Sequence, residues 1–239
     1  MSSFGEVDLE LGLPHSSQTK SSSRSYFIMK VLLIVGVQLL VTTFISATCY
    51  TNTAFRNMSN DNFYTVLISM TIVALVAMIV CYLSVSCCRN NIVAFFPFCI
   101  FTVSMSIVFA MACLQYNVQV LIQSATITCV TTLACVIYIL ITKKDLHSWH
   151  GVLSCGLIVL IVWGIIMSIF TPSDTIQIVY SLLGVIIFVG YILVDTSDLL
   201  NGRYQDHEYF IAAIGIYLDI INLMLYVLEL VNKCKDDDS

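Results

Sequence analysis

The chain has 239 residues, of which 59% are hydrophobic and 10% charged, and its formal net charge is −5. Soluble domains carry roughly 25% charged residues, so this composition excludes a soluble globular fold and reads as one polytopic membrane domain. Most of the excess acid lies in the two tails, which gives no reason to expect nucleic acid as a partner.

Residues 1–25 form a polar, serine-rich stretch too poor in apolar groups to build a core, and they are expected to be a disordered cytosolic tail. Seven apolar runs follow, near 31–51, 63–86, 92–114, 118–141, 149–170, 176–200 and 208–231. Each is long enough to cross a bilayer as a helix of about 20 residues. The first run is long and lacks a small-residue cleavage site, so it reads as a signal anchor, not a cleaved leader. Loops are short, which predicts antiparallel packing of consecutive runs. The fold class expected is therefore all-α, with seven transmembrane helices over 26–233 and a short acidic tail at 234–239.

Lys and Arg set the orientation. With a cytosolic N-terminus the inner side holds Lys20, Arg24, Lys30, Arg89, Lys143, Lys144 and Arg203, against Arg56, Lys233 and Lys235 outside, a 7 to 3 split. A re-entrant seventh run would make it 9 to 1, whereas the length of 208–231 favours a full span. A full span is the reading adopted.

Polar groups inside the runs have ordinary uses. Gln38 is expected to hydrogen-bond a neighbouring helix. Thr102, Ser106 and Ala110 on the third run, and Ser124, Thr128 and Thr132 on the fourth, form small-residue lines. Such lines let backbones approach closely, which predicts that the third and fourth runs pack together; the alternative is a polar pore lining. Tyr26, Trp149 and Tyr209 suit interfacial belts. Most of the ten cysteines fall within or near apolar runs, where they act as small hydrophobes. Cys87 and Cys88 beside Arg89 are either inert or palmitoylated. Asn57-Met58-Ser59 is a glycosylation sequon in a loop too short to favour its use. His147 and His150 have no cysteine or acid at metal-ligand spacing, so no zinc centre is expected.

Two acids carry the strongest signal. Asp195 lies in GYILVDTSDLL and Asp219 in IYLDIINLML, 24 residues apart, with the polar loop NGRYQDHE (201–208) between them. Asp195 precedes Asn201 by ~9 Å of helix and Asp219 follows Glu208 by ~16 Å, too far for a short side chain to reach water. A carboxylate at mid-membrane costs about 2.5–3.5 kcal/mol even on a lenient scale, so such residues mark function by default. An antiparallel hairpin would bring both to a similar depth, where facing carboxyls share one proton and titrate as a unit. When ionised they offer oxygens to a hard cation such as Ca²⁺, transiently, since two carboxylates with Thr196 and Asn222 are too sparse for tight binding. The competing reading, a helix cap or an interfacial carboxylate, suits Asp198 at the end of its run.

IAAIGIYLDIINLMLYVLELVNK, preceded by GYILVDT, resembles the signature of the transmembrane Bax-inhibitor-motif family, nearest its lifeguard and Golgi anti-apoptotic branch. TKKDLHSWHGVL before the fifth run and VQLLVTT in the first agree with it. The drifted loops and cysteine-rich runs fit a virus-encoded member, for instance one carried by a herpesvirus. The resemblance implies a central helix surrounded by the others. It also implies a pH-sensitive calcium leak of endoplasmic reticulum or Golgi membranes that lowers store calcium and suppresses apoptosis. Its sensor aspartates map onto Asp195 and Asp219. Where close relatives carry a glutamate pair before the last helix, this chain has His207-Glu208, which gives that position a titrating histidine. The basic latch that some relatives carry on the second helix has no counterpart between Asp61 and Cys88.

No cofactor is implied beyond Ca²⁺ as permeant ion, and the partners implied are membrane lipid and host apoptosis or calcium-channel proteins. The chain is read as a non-enzyme. An intramembrane aspartyl protease needs Gly-x-Gly-Asp before its second aspartate, where this chain has Ile216-Tyr217-Leu218-Asp219. A chemokine-type receptor needs Asp-Arg-Tyr and Asn-Pro-x-x-Tyr, which are absent. A membrane protein that binds host death or calcium regulators without conducting ions is the remaining alternative.

Overall fold

Lipid offers no hydrogen-bond partners, so each apolar run must satisfy its backbone internally, and each forms a helix. The computed structural model describes the backbone of residues 15–88, 91–170 and 172–236, and side chains over 24–53, 55, 62–86, 92–170 and 172–235. The elements are α1 (His15–Thr51), α2 (Thr53–Cys88), α3 (Asn91–Cys113), α4 (Val118–Thr142), α5 (His150–Ile169), α6 (Asp174–Leu200) and α7 (Tyr209–Asp236). A single 3₁₀ turn, His147–Trp149, leads into α5. All seven helices are long and apolar enough to span a membrane.

The centre is α7. Two-thirds (67%) of its most apolar window is buried, against 6% for α5 and 44% for α3. It packs on α6, α4 and α1, and more lightly on α3 and α2. This position explains its sequence: a helix that meets protein on all sides can carry Asp219, Asn222 and Glu229, because neighbouring helices and not lipid receive them. It also removes the re-entrant alternative, since α7 is one continuous helix of 28 residues.

Occupation of the centre by α7 overturns two packing expectations. The third and fourth helices do not pair: α3 packs on α2 and α1, and α4 on α7 and α6. Consecutive helices accordingly pair closely only in the hairpins α2–α3 and α6–α7, with α5 on α6 and a light α1–α2 contact. The small-residue line of α3 serves α1 and α7 instead. Gln38 donates to Thr102 Oγ1 at 3.0 Å, as expected of a buried amide. Thr42 Oγ1 lies 2.9 Å from Ser106 Oγ and 2.8 Å from the hydroxyl of Tyr217, a fully buried side chain on α7. On α4, Thr128 Oγ1 meets Met224 Sδ of α7 at 3.5 Å. These lines seat helices.

Two terminal expectations also shift. The described residues of α1 start at His15, so residues 15–25, expected as tail, are helix; extending an existing helix adds a hydrogen bond per residue without a new nucleus. Most of the stretch expected as loop 52–62 is helical too: α2 starts at Thr53, after the non-helical Asn52, and breaks at Asn62 (φ −129°, ψ 30°) before the span proper. The side chains of Asn57, Cys87 and Cys88, and residue Arg89, lie outside the described residues. Cys81, Cys113 and Cys135 are buried and free, as small apolar groups.

Candidate ion site at the α6–α7 hairpin

The last turns of α6 present four consecutive buried polar residues, Asp195, Thr196, Ser197 and Asp198. Asp195 stands five residues before the helix end at Leu200, or ~7.5 Å along the axis. The site is thus nearer the 201–208 loop than the mid-membrane position that its run suggests. Directly across, α7 supplies Asp219, and the two buried carboxyl groups lie close enough to act on each other. Ionised carboxylates only accept, so a hydrogen bond between these two groups would need one shared proton. Asp219 Oδ2 is buried and has no hydrogen-bond partner, and neither has Thr196 Oγ1. Gln38 Oε1, Ser46 Oγ, Ser124 Oγ and Thr132 Oγ1 are likewise buried without partners, so it is the pairing of two acids and not the lone oxygens that sets this place apart.

Two residues that sequence reasoning missed shape this contact. Gly215 lies one turn before Asp219, and a Cβ there would come within 2.9 Å of Asp195 Oδ2. The absent side chain makes room for the carboxyl. Tyr204, in the loop, packs against the core: its phenol is pushed above its usual range by burial and then by the charges of Asp195, Asp198, Asp219 and Glu208. The glycine four residues before Asp219 was visible in the sequence, whereas nothing local marks Tyr204.

The supporting residues divide. Thr196 is buried beside Asp195 on α6. Asn222 donates its amide back to Leu218 O at 2.8 Å on its own helix. The Glu208 carboxylate accepts the Gln205 N–H at 2.7 Å, and its carbonyl accepts the Ala212 N–H, so it shapes the entry to α7. His207 is half-buried in the same loop. Arg24 of α1 closes this end by donating to Tyr204 O at 3.1 Å and to Leu199 O. No basic side chain of α2 reaches the pair among the described residues.

Asp198 is not the interfacial cap expected. Its side chain is 6% exposed and accepts from His147 Nδ1 at 3.1 Å and His150 Nε2 at 2.8 Å, while Arg203 Nε lies 3.2 Å from its other oxygen. The two histidines therefore do have an acidic partner, contrary to the sequence reading. It comes from about 50 residues along the chain, where spacing rules do not look.

A seven-helix membrane bundle wound round a central helix, with an acid pair between that helix and its predecessor, is the class of protein these features define. Residues 24–236 match the family described as inhibitor of apoptosis-promoting Bax1, and the chain belongs to that family. It is similar to "Protein lifeguard 4" of Mus musculus, 32% identical over 217 residues, 88% of this chain and 87% of that protein. "Protein LIFEGUARD 2" of Arabidopsis thaliana is 30% identical over 212 residues, 85% and 86% of the two chains. "Golgi anti-apoptotic protein" of Vaccinia virus (strain Lister) is 36% identical over 132 residues, 55% of each, so the matched region spans about half of that relative.

Proposed function

We propose that the protein is a pH-sensitive calcium leak of intracellular store membranes, endoplasmic reticulum or Golgi, that lowers store calcium and thereby inhibits apoptosis. Family membership and the names of the relatives support the anti-apoptotic part and the compartment. The single observation that carries the ion-conducting part is the burial of Asp195 and Asp219 side by side between α6 and α7.

Protonation of one member permits the carboxyl–carboxylate hydrogen bond and draws α6 and α7 together. Loss of that proton leaves two like charges in contact, which loosens the hairpin and turns oxygens toward a passing Ca²⁺. The other titratable groups acting on the pair are His150 from α5, Asp198 from α6 and Tyr204 from the loop. Asn222 and Thr196 stand close enough in sequence to add oxygen, and His207 and Glu208 stand at the loop mouth. The 7 to 3 distribution of Lys and Arg supports a cytosolic N-terminus and, with it, a cytosolic loop mouth.

Purified protein in liposomes loaded with a calcium dye tests the reading. A leak without any partner, together with lowered releasable store calcium and resistance to intrinsic apoptotic stimuli in expressing cells, is the expected result. Protection with unchanged store content would point instead to direct binding of a death regulator.

A further inference from the structure

We infer that His147, His150 and Asp198 form a divalent transition-metal site, suited to Zn²⁺, at the joint between the α5 entry and the α6 end. Their ligand atoms lie within 4.8 Å of one another. Asp198 Oδ2 is the shared centre, 3.1 Å from His147 Nδ1 and 2.8 Å from His150 Nε2. Tetrahedral bonds of 2.0–2.1 Å place neighbouring ligand atoms ~3.3 Å apart. Admitting the ion therefore needs the two His–Asp198 pairs to open by about half an ångström or less and the two imidazole nitrogens, within 4.8 Å of each other, to settle at the same spacing.

The donor set selects the ion. Two imidazoles and one carboxylate suit Zn²⁺ and its neighbours, whereas Ca²⁺ and Mg²⁺ take oxygen ligands. His147 is half-exposed and His150 about one-third exposed, so the ion has a route from solvent and a fourth position for water.

The surroundings hold the ligands in place. Arg203 Nε, 3.2 Å from Asp198 Oδ1, orients the carboxylate, and His147 Nδ1 reaches both oxygens, at 3.2 Å to Oδ1 and 3.1 Å to Oδ2. The cationic Arg203 also weakens attraction for a metal, and Asp145, 2.9 Å from its Nη2, offsets part of that charge. Ser197 Oγ accepts the Leu146 N–H and donates to Lys144 O, both at 2.9 Å, pinning the 143–146 linker to α6. Such outer partners typically change metal affinity 10–100-fold. The site is independent of whether the acid pair conducts calcium.

The test is titration of the purified full-length protein, in detergent near pH 7.5, with Co²⁺ followed by competition with Zn²⁺. One equivalent of Co²⁺ should give the visible absorption of a four-coordinate ion, and Zn²⁺ should remove it. His147→Gln and His150→Gln should each bind at least tenfold more weakly, with their thermal unfolding in metal-free buffer close to wild type. His207→Gln, in the neighbouring loop, should bind normally. Only a six-coordinate spectrum from the wild type, or an unchanged titration in the His147→Gln/His150→Gln double variant, would overturn the assignment.

Discussion

The Asp195 carboxyl rests against Gly215, where an added Cβ would come within 2.9 Å of its Oδ2. Because Gly215 is one turn from Asp219, the two acids depend on this bare patch of α7 to meet. Gly215→Ala should displace the Asp195 carboxyl and weaken the contact while leaving both acids present. The expected result is a calcium flux that depends less on pH, with elevated flux on the acidic side. The variant should keep a wild-type elution profile in detergent, and an unchanged pH profile would show that the contact does not control the leak.

What the sequence revealed and what it hid follow from one distinction. The spans and the acid pair are local or nearly so: apolar length sets a helix, and a short loop returns α7 alongside α6 with Asp195 and Asp219 in contact. Which helix takes the centre is a property of the whole set of helices, and small-residue lines mark close approach without naming the partner. Hence the line with Thr102 and Ser106, expected to face the fourth helix, meets α1 and α7. The partnership of His147 and His150 with Asp198 was hidden for the same reason, since it crosses from the α5 entry to the end of α6. The recessed polarity of α7 was the available clue to its central place.

Tyr217 ties three helices together through Thr42, which also reaches Ser106. Tyr217→Phe removes one hydroxyl but leaves Thr42 and Ser106 paired. Interhelical hydrogen bonds in membranes average about 0.6 kcal/mol, with a maximum near 1.7. Stability measured by denaturation in detergent should therefore fall by about 1 kcal/mol or less. A loss several times larger would mean that this hydroxyl, and not the surrounding ring packing, organises the core.

The α6–α7 interface has a second close approach at Gly184, where a Cβ would lie 2.3 Å from Cδ1 of Tyr226. Tyr226 is also 3.2 Å from Tyr180 through the two hydroxyls. Gly184→Ala should destabilise by about 1–3 kcal/mol, the usual range for overpacking. Trimming the ring in Gly184→Ala/Tyr226→Leu should remove much of the added penalty, giving a clear coupling in the double-mutant cycle. Additive losses would show that the ring moves aside at no cost.

Seven spans among the described residues predict that the two ends of the chain lie on opposite sides of the membrane. Epitope tags at residue 1 and within 52–62 should be reached from opposite sides on selective permeabilisation, and a C-terminal tag should behave like the 52–62 tag. If the N-terminal tag is the one reached from the lumen, the cytosolic assignment of the 201–208 mouth is inverted.

The central claim is that Asp195 and Asp219 act as one proton-controlled unit in the ion path. Liposome calcium flux between about pH 6 and 8, measured on Asp195→Asn, Asp219→Asn and the double variant after each is shown to be folded, tests it most directly. Asp219→Asn should reduce flux and Asp195→Asn should shift or flatten its pH dependence. Because coupled sites titrate together, the double variant should be little worse than the more damaging single one. Wild-type flux with a wild-type pH response in the double variant would contradict the account and leave the pair a structural contact.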